Sequence, residues 1–165
     1  MKRKGSSNEI AILLQIIDES YNNRAWHGTN LRGSIRGLTV EQASWRPSPG
    51  RHNIWEVVVH CAYWKYIVRR RILGEKKGSF LLNGSNWFKR PIERTEKAWR
   101  ADIHLLEETH ESLRNAIAGL KSSNLKKRPF GSKWTNLQTI SGIASHDLYH
   151  AGQVQLLKRL YKKNS

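Results

Sequence analysis

His146 and His150 stand four residues apart in the run Ser145-His146-Asp147-Leu148-Tyr149-His150. In a helix four residues make about one turn, so both imidazoles leave one face about 6 Å apart along the axis, the spacing of a bidentate metal ligand. The line through them, Ile143, His146, His150, Gln153 and Leu157, is apolar at both ends, which turns the pair inward. A third histidine, His60, lies on the line Val57, His60, Trp64, Ile67 of an earlier amphipathic stretch. One histidine on an apolar face is usually a hydrogen-bonded core residue. Three buried in one core would leave ring nitrogens unsatisfied at about 1–3 kcal/mol each, unless a metal or dedicated partners took them up. Three neutral imidazoles on a divalent ion leave a fourth position exchangeable, which is the layout of a catalytic site and not of a closed structural one.

Other residues compete for roles beside this trio. His27, in Ala25-Trp26-His27-Gly28, falls on the line Ile10, Leu13, Ile17, Arg24, His27, Leu31, and His110 lies on the stripe Leu106, His110, Leu113. Each is open to three readings: a fourth ligand, a neighbouring acid or base, or a satisfied core residue. Gln153, one turn beyond His150, either contacts substrate or closes an apolar layer. Cys61 adjoins His60, but consecutive helical residues point about 100° apart, so it reads as a small buried hydrophobe. The same geometry removes Asp147 from the ligand set and leaves it a salt bridge or a surface position. His52 and His104 read as exposed. Trp55, Trp64, Trp99 and Trp134 read as core and inter-helix filling, with an indole N–H lining the pocket as the alternative.

The elements that must position these residues are helices. Ser6 with Glu9, Thr39 with Gln42, Asn53 with Glu56, and Thr135 with Gln138 each have the spacing of a capping box. Apolar residues at three-and-four spacing predict long helices over 7–35, 53–73, 92–119 and 136–161, with a short one after Thr39 that Pro47, Pro49 and Gly50 end. The stripe of the third, Trp99, Ile103, Leu106, His110, Leu113, Ile117, Leu120, has the period of antiparallel bundle packing. Nothing alternates like a strand, so the expectation is an all-α four-helix bundle forming one domain over 1–165. The loop 74–91 carries Phe80, Leu81, Trp87 and Phe88, too apolar for a plain linker, and should fold over the body.

Composition narrows the setting. A chain of 165 residues with one cysteine makes no internal disulfide, and without an export leader the expected compartment is a reducing cytoplasm. No apolar run reaches the roughly 18 residues that span a bilayer. Twenty-nine Lys and Arg against 13 Asp and Glu give a net charge of +16. That balance keeps a second function in view, a basic module contacting nucleic acid or another polyanion around a structural or vestigial histidine cluster. The basic residues, however, come as scattered knots, and the aromatics fall in helix cores instead of interleaving with them.

Trp55-Glu56-Val57-Val58-Val59-His60, together with His146-Asp147-Leu148-Tyr149-His150-Ala151-Gly152-Gln153, resembles the DinB-like (YfiT-like) metal-dependent enzymes. Leu38-Thr39-Val40-Glu41-Gln42-Ala43 and Trp45-Arg46-Pro47 match that family's approach to its first ligand. The resemblance covers nearly the whole chain. It implies an up-down-down-up bundle, often a homodimer, with a divalent metal, zinc or nickel most often, on His60, His146 and His150. It further implies thiol-dependent transfer, with a low-molecular-weight thiol as co-substrate and a small anionic or electrophilic substrate, more than hydrolysis, since no carboxylate at motif spacing offers a general base.

Overall fold

A computed structural model describes residues 7–164 of the chain, and among these every regular element is helical. The order is α1 (Ser7–Tyr21), α2 (Leu31–Ser34), α3 (Val40–Ser44), α4 (Ile54–Leu73), α5 (Glu96–Ala118) and α6 (Asn136–Asn164), with a 3-10 turn at Ser122–Asn124. The four long helices form a closed circuit: α4 packs most extensively on α5, α5 touches α1, α1 lies on α6, and α6 returns to α4.

Local chemistry sets the ends. Thr39 and Gln42 make the full reciprocal box at α3, and Thr135 and Gln138 do the same ahead of α6. Asn53 caps α4 through the Glu56 N–H, but the Glu56 carboxylate does not reach back, because it is committed to Arg46. Gly74, at φ 73°, closes α4 in the left-handed conformation that glycine adopts without a Cβ penalty. The box at Ser6 lies outside the described residues. Thr95 caps α5, so that helix begins at Glu96 and not at 92.

The first helix is shorter than its periodicity suggests. It ends at Tyr21, where the Asn22 and Asn23 N–H groups both donate to Asp18 O, and the chain runs irregularly through Gly28, at φ 98°, to Asn30, which caps α2. Asparagine side chains compete for backbone partners, and the three-and-four spacing that continues through Arg24 and His27 is coincidental. His27 is exposed as a result.

The core is two apolar clusters with a polar layer between them. One gathers Trp55, Val58, Trp99 and Leu106, the other Ile17, Leu113, Ile117 and Ile140. In sequence Lys65 falls between Ala62 of the first and Val68 of the second, His110 between Leu106 and Leu113, and Asp147 between Ala144 and Val154. All three polar side chains are buried. Trp55 and Trp99 pack at 5.0 Å between ring centroids, and their indole N–H groups donate to Asp102 and to the Leu38 carbonyl. Trp134 does not fill the core. It is 60% exposed, in a turn where Ser132 Oγ bonds both its carbonyl and its N–H. No described helix is long and apolar enough to cross a membrane.

Candidate metal centre

The α4–α6 seam brings His60, His146 and His150 together. His60 Nε2 lies 3.0 Å from His146 Nε2, which lies 3.2 Å from His150 Nε2. His60 and His150 are buried and His146 is half-buried. Three Nε2 atoms therefore meet at one point.

The outer ring nitrogens decide what they present there. His60 Nδ1–H donates to the Asn86 carbonyl at 2.8 Å, and His150 Nδ1–H donates to Gln153 Oε1 at 2.7 Å. A neutral imidazole carries one proton, so both Nε2 atoms offer lone pairs toward His146. His146 has one proton for two such acceptors, and its own Nδ1 is buried with no hydrogen-bond partner. Facing lone pairs repel. A divalent cation satisfies all three at once, and the donor set is the one such an ion prefers.

Electrostatics keep the rings in the ligand form. Burial, reinforced by the other two histidines and Lys65, pushes His146 down to about 3. Burial and His60 bring His150 down to about 4 against the Gln153 hydrogen bond. Burial also lowers His60, opposed by the Asn86 hydrogen bond. All three are neutral at pH 7.

The loop before α5 completes the surroundings. Asn86 takes φ 63°, a left-handed conformation that asparagine tolerates better than most residues, and this aims its carbonyl at His60. Its side chain accepts from Trp64 Nε1 at 2.9 Å. The next residue, Trp87, lies flat between His60 at 3.9 Å and His52 at 3.6 Å. His52 is bound at Nδ1 to Glu56, and Glu56 receives both Arg46 terminal nitrogens at 2.8 and 2.5 Å. Burial raises the Glu56 carboxyl, but Arg46, His52 and the Arg90 N–H outweigh it and hold it below its ordinary value. Glu56 is a brace committed to four hydrogen bonds from Arg46, His52 and the Arg90 N–H, which leaves it unsuited to act as a base.

Asn86 goes unnoticed in the sequence, and Trp87 and His52 gain no role at the site from it: Trp87 is expected only to fold over the body with its loop, and His52 to be exposed, as it is. The available signal was the Asn-Trp pair inside an unusually apolar loop. His110 and His27 do not join the cluster: His110 stacks on Tyr21 at 3.6 Å and lines a cavity of about 500 Å³ between α1 and α5 that none of the three histidines lines. Asp147 is a buried salt-bridge partner, its carboxylate accepting from Lys65 Nζ. Cys61, His146 and Asp147 also offer ligand atoms within 4.8 Å of one another. That grouping is the poorer ligand set, because burial raises the Cys61 thiol and keeps it protonated while Asp147 is held by Lys65.

Residues 24–154 match the family model described as the DinB superfamily. No curated protein and no solved structure matches the chain.

Proposed function

The chain belongs to the DinB superfamily, and from that premise we propose that it is a metal-dependent enzyme in which His60, His146 and His150 hold a divalent cation, zinc or nickel. The observation that carries this reading is the pair of committed Nδ1 protons on His60 and His150, which turn two lone pairs onto a third histidine with nothing of its own to satisfy both. The fold in this reading is the family's up-down-down-up four-helix bundle.

A divalent cation at this point supplies charge that lowers the pKa of a water or thiol beside it. The protein's own residues do the rest. Asn86 and Gln153 hold two rings in one tautomer, Trp87 covers the outer face of His60, and the half-buried His146 marks the side on which the site meets solvent. Thiol-dependent transfer to a small anionic or electrophilic substrate fits better than hydrolysis, because the one carboxylate a turn from His60, Glu56, is tied to Arg46 and His52.

Protein purified without a histidine tag and stripped with chelator should take up one equivalent of zinc or nickel. His60→Ala, His146→Ala and His150→Ala should each abolish uptake while circular dichroism stays helical. A screen of low-molecular-weight thiols against electrophiles with the loaded protein then identifies the substrate. Unchanged uptake in any one of the three variants removes that histidine from the site, and no uptake by the parent protein removes the reading.

A further inference from the structure

Some of the basic residues that are scattered in sequence come together at one end of the molecule. The C-terminal turn of α4 and the residues after it bring Arg70, Arg71, Lys76 and Lys77, and the loop before α6 brings Lys126, Lys127, Arg128 and Lys133. The two segments touch. Arg70, Arg71 and Lys76 line a cleft of about 240 Å³ with Pro129 and Phe130, and Lys76 Nζ sits 5.1 Å above the Phe130 ring. Glu75 also lines this cleft, but Arg69 neutralises it at 2.9 Å. No acidic residue lies between Glu111 and Asp147 in the sequence.

Two exposed aromatic rings belong to this segment: Phe130, 83% exposed, lines the cleft beneath Lys76, and Trp134, 60% exposed, follows Lys133 in the same loop. They ride on a compact loop whose neck is tied by backbone bonds from Asn136 N to Lys127 O and from Leu137 N to Leu125 O. Large exposed rings cost hydration free energy and bring nothing to the core. Arg70, which lines the cleft, has its Nε buried without a hydrogen-bond partner.

We infer that this end of the molecule is a binding surface for single-stranded nucleic acid, with phosphates on the lysines and arginines and unstacked bases on Phe130 and Trp134. Cations tracking a backbone beside aromatic platforms are what sequence-tolerant single-strand binding requires. A second copy of this chain is disfavoured, because two such surfaces repel. Duplex is less suited, because paired bases give the rings nothing to stack on. A lipid bilayer is the competing anionic surface, and the vesicle measurement below separates it from a strand. The surface is separate from the histidine centre: His146 is ten residues, or about 15 Å, along α6 from its start.

Anisotropy titrations of the full-length protein with labelled dT20 and with a 20-bp duplex, at several salt concentrations, test this alongside sedimentation with phosphatidylserine–phosphatidylcholine vesicles. Expected is tighter binding of dT20 than of duplex, with log K falling against log salt at a slope of about −3.5 if five phosphates are neutralised. Phe130→Ala/Trp134→Ala, which removes no charge and only exposed rings, should weaken dT20 at least about tenfold and leave duplex affinity unchanged. Lys126→Glu/Lys127→Glu/Arg128→Glu should weaken both. Equal affinity for dT20 and duplex, or full dT20 affinity in the double aromatic variant, overturns the inference. So does vesicle binding that needs the two rings in a protein that does not hold dT20.

Discussion

Lys65→Met puts the polar layer between the two core clusters to a quantitative test. Lys65 and Asp147 have no solvent exposure, and the Asp147 carboxylate has one oxygen on Lys65 Nζ and the other, Oδ1, without a partner. Burial raises the Asp147 carboxyl and the Lys65 charge opposes it. Methionine in place of Lys65 preserves the volume and leaves the carboxylate alone in the core, a loss of about 3–5 kcal/mol. The alternative for the variant is to fold with Asp147 protonated. For a group with an ordinary pKa of about 3.9 that costs about three units at pH 7, roughly 4 kcal/mol, so both routes give the same magnitude. For a chain of this size the melting temperature should fall by about 8–16 °C. The sign with pH is fixed as well: a carboxyl folded in its protonated form loses least where protonation is easy, so the deficit should shrink to roughly 1.5 kcal/mol at pH 5.

Urea unfolding of the parent, Lys65→Met, Asp147→Leu and the double variant, at pH 7 and pH 5, reads these numbers directly. Each single variant strands one buried charge, so the double variant should be more stable than either and close to the parent. A single-variant loss under about 1 kcal/mol, or a double variant as unstable as the two losses combined, refutes the picture of a dry, mutually dependent pair.

Three further outcomes are expected. His150→Ala should lose metal uptake and stay folded, with the destabilisation limited to the linkage contribution, about 4 kcal/mol when free metal is a thousandfold above its Kd; a variant unfolded at 25 °C would make the metal an architectural staple. Gln153→Leu removes the acceptor that orients His150 and should weaken metal binding about 10- to 100-fold in a chelator competition, while Gln153→Glu should not weaken it; equal affinity in Gln153→Leu refutes the orienting role. His110 is pushed down to about 2 by burial, with Lys65 and Arg114 adding to it. Its neutral form is therefore the folded one, and its contribution, complete above about pH 6.5, is lost as pH falls. In metal-free protein His110→Leu should flatten the slope of stability against pH between 6 and 4 by about 1.4 kcal/mol per pH unit, and an unchanged slope would show that His110 is protonated without penalty.

The histidine trio was legible because helical period is a strong signal where burial is regular. His60 and His150 sit on lines whose neighbours, Val57 and Ile143 among them, are buried. The helix boundaries at Asn53 and Thr135 were legible because caps are local chemistry. The same period misled at α1, where Arg24 and His27 keep the spacing after Asn22 and Asn23 have turned the chain. Asn86 was illegible because its contribution is a backbone carbonyl, which every residue has, aimed by a conformation the sequence does not announce. The basic end was illegible for a different reason. Its two halves, around Arg70 and Lys127, are more than fifty residues apart, and only the return of the chain beside α4 adds their charges together. Trp134 then reads as a core residue by type and as an exposed platform by place.

The seam between α4 and α6 shows why a core tolerates so much polarity. His60 faces His146, and five residues further along α4 Lys65 faces Asp147. In register the Lys65 ammonium meets the Asp147 carboxylate, and His60 Nε2 comes to 3.0 Å from His146 Nε2. A slip of α6 by one turn would part both pairs together, stranding a charge and an imidazole in apolar surroundings, at several kcal/mol for the ion pair alone. The small buried residues of α6, Ala144, Ala151 and Val154, offer no comparable discrimination, because small side chains pack acceptably at more than one offset. The buried ion pair thus adds little net stability over a hydrophobic pair of equal volume, yet it selects one register out of several. That register is the one in which three imidazole lone pairs meet.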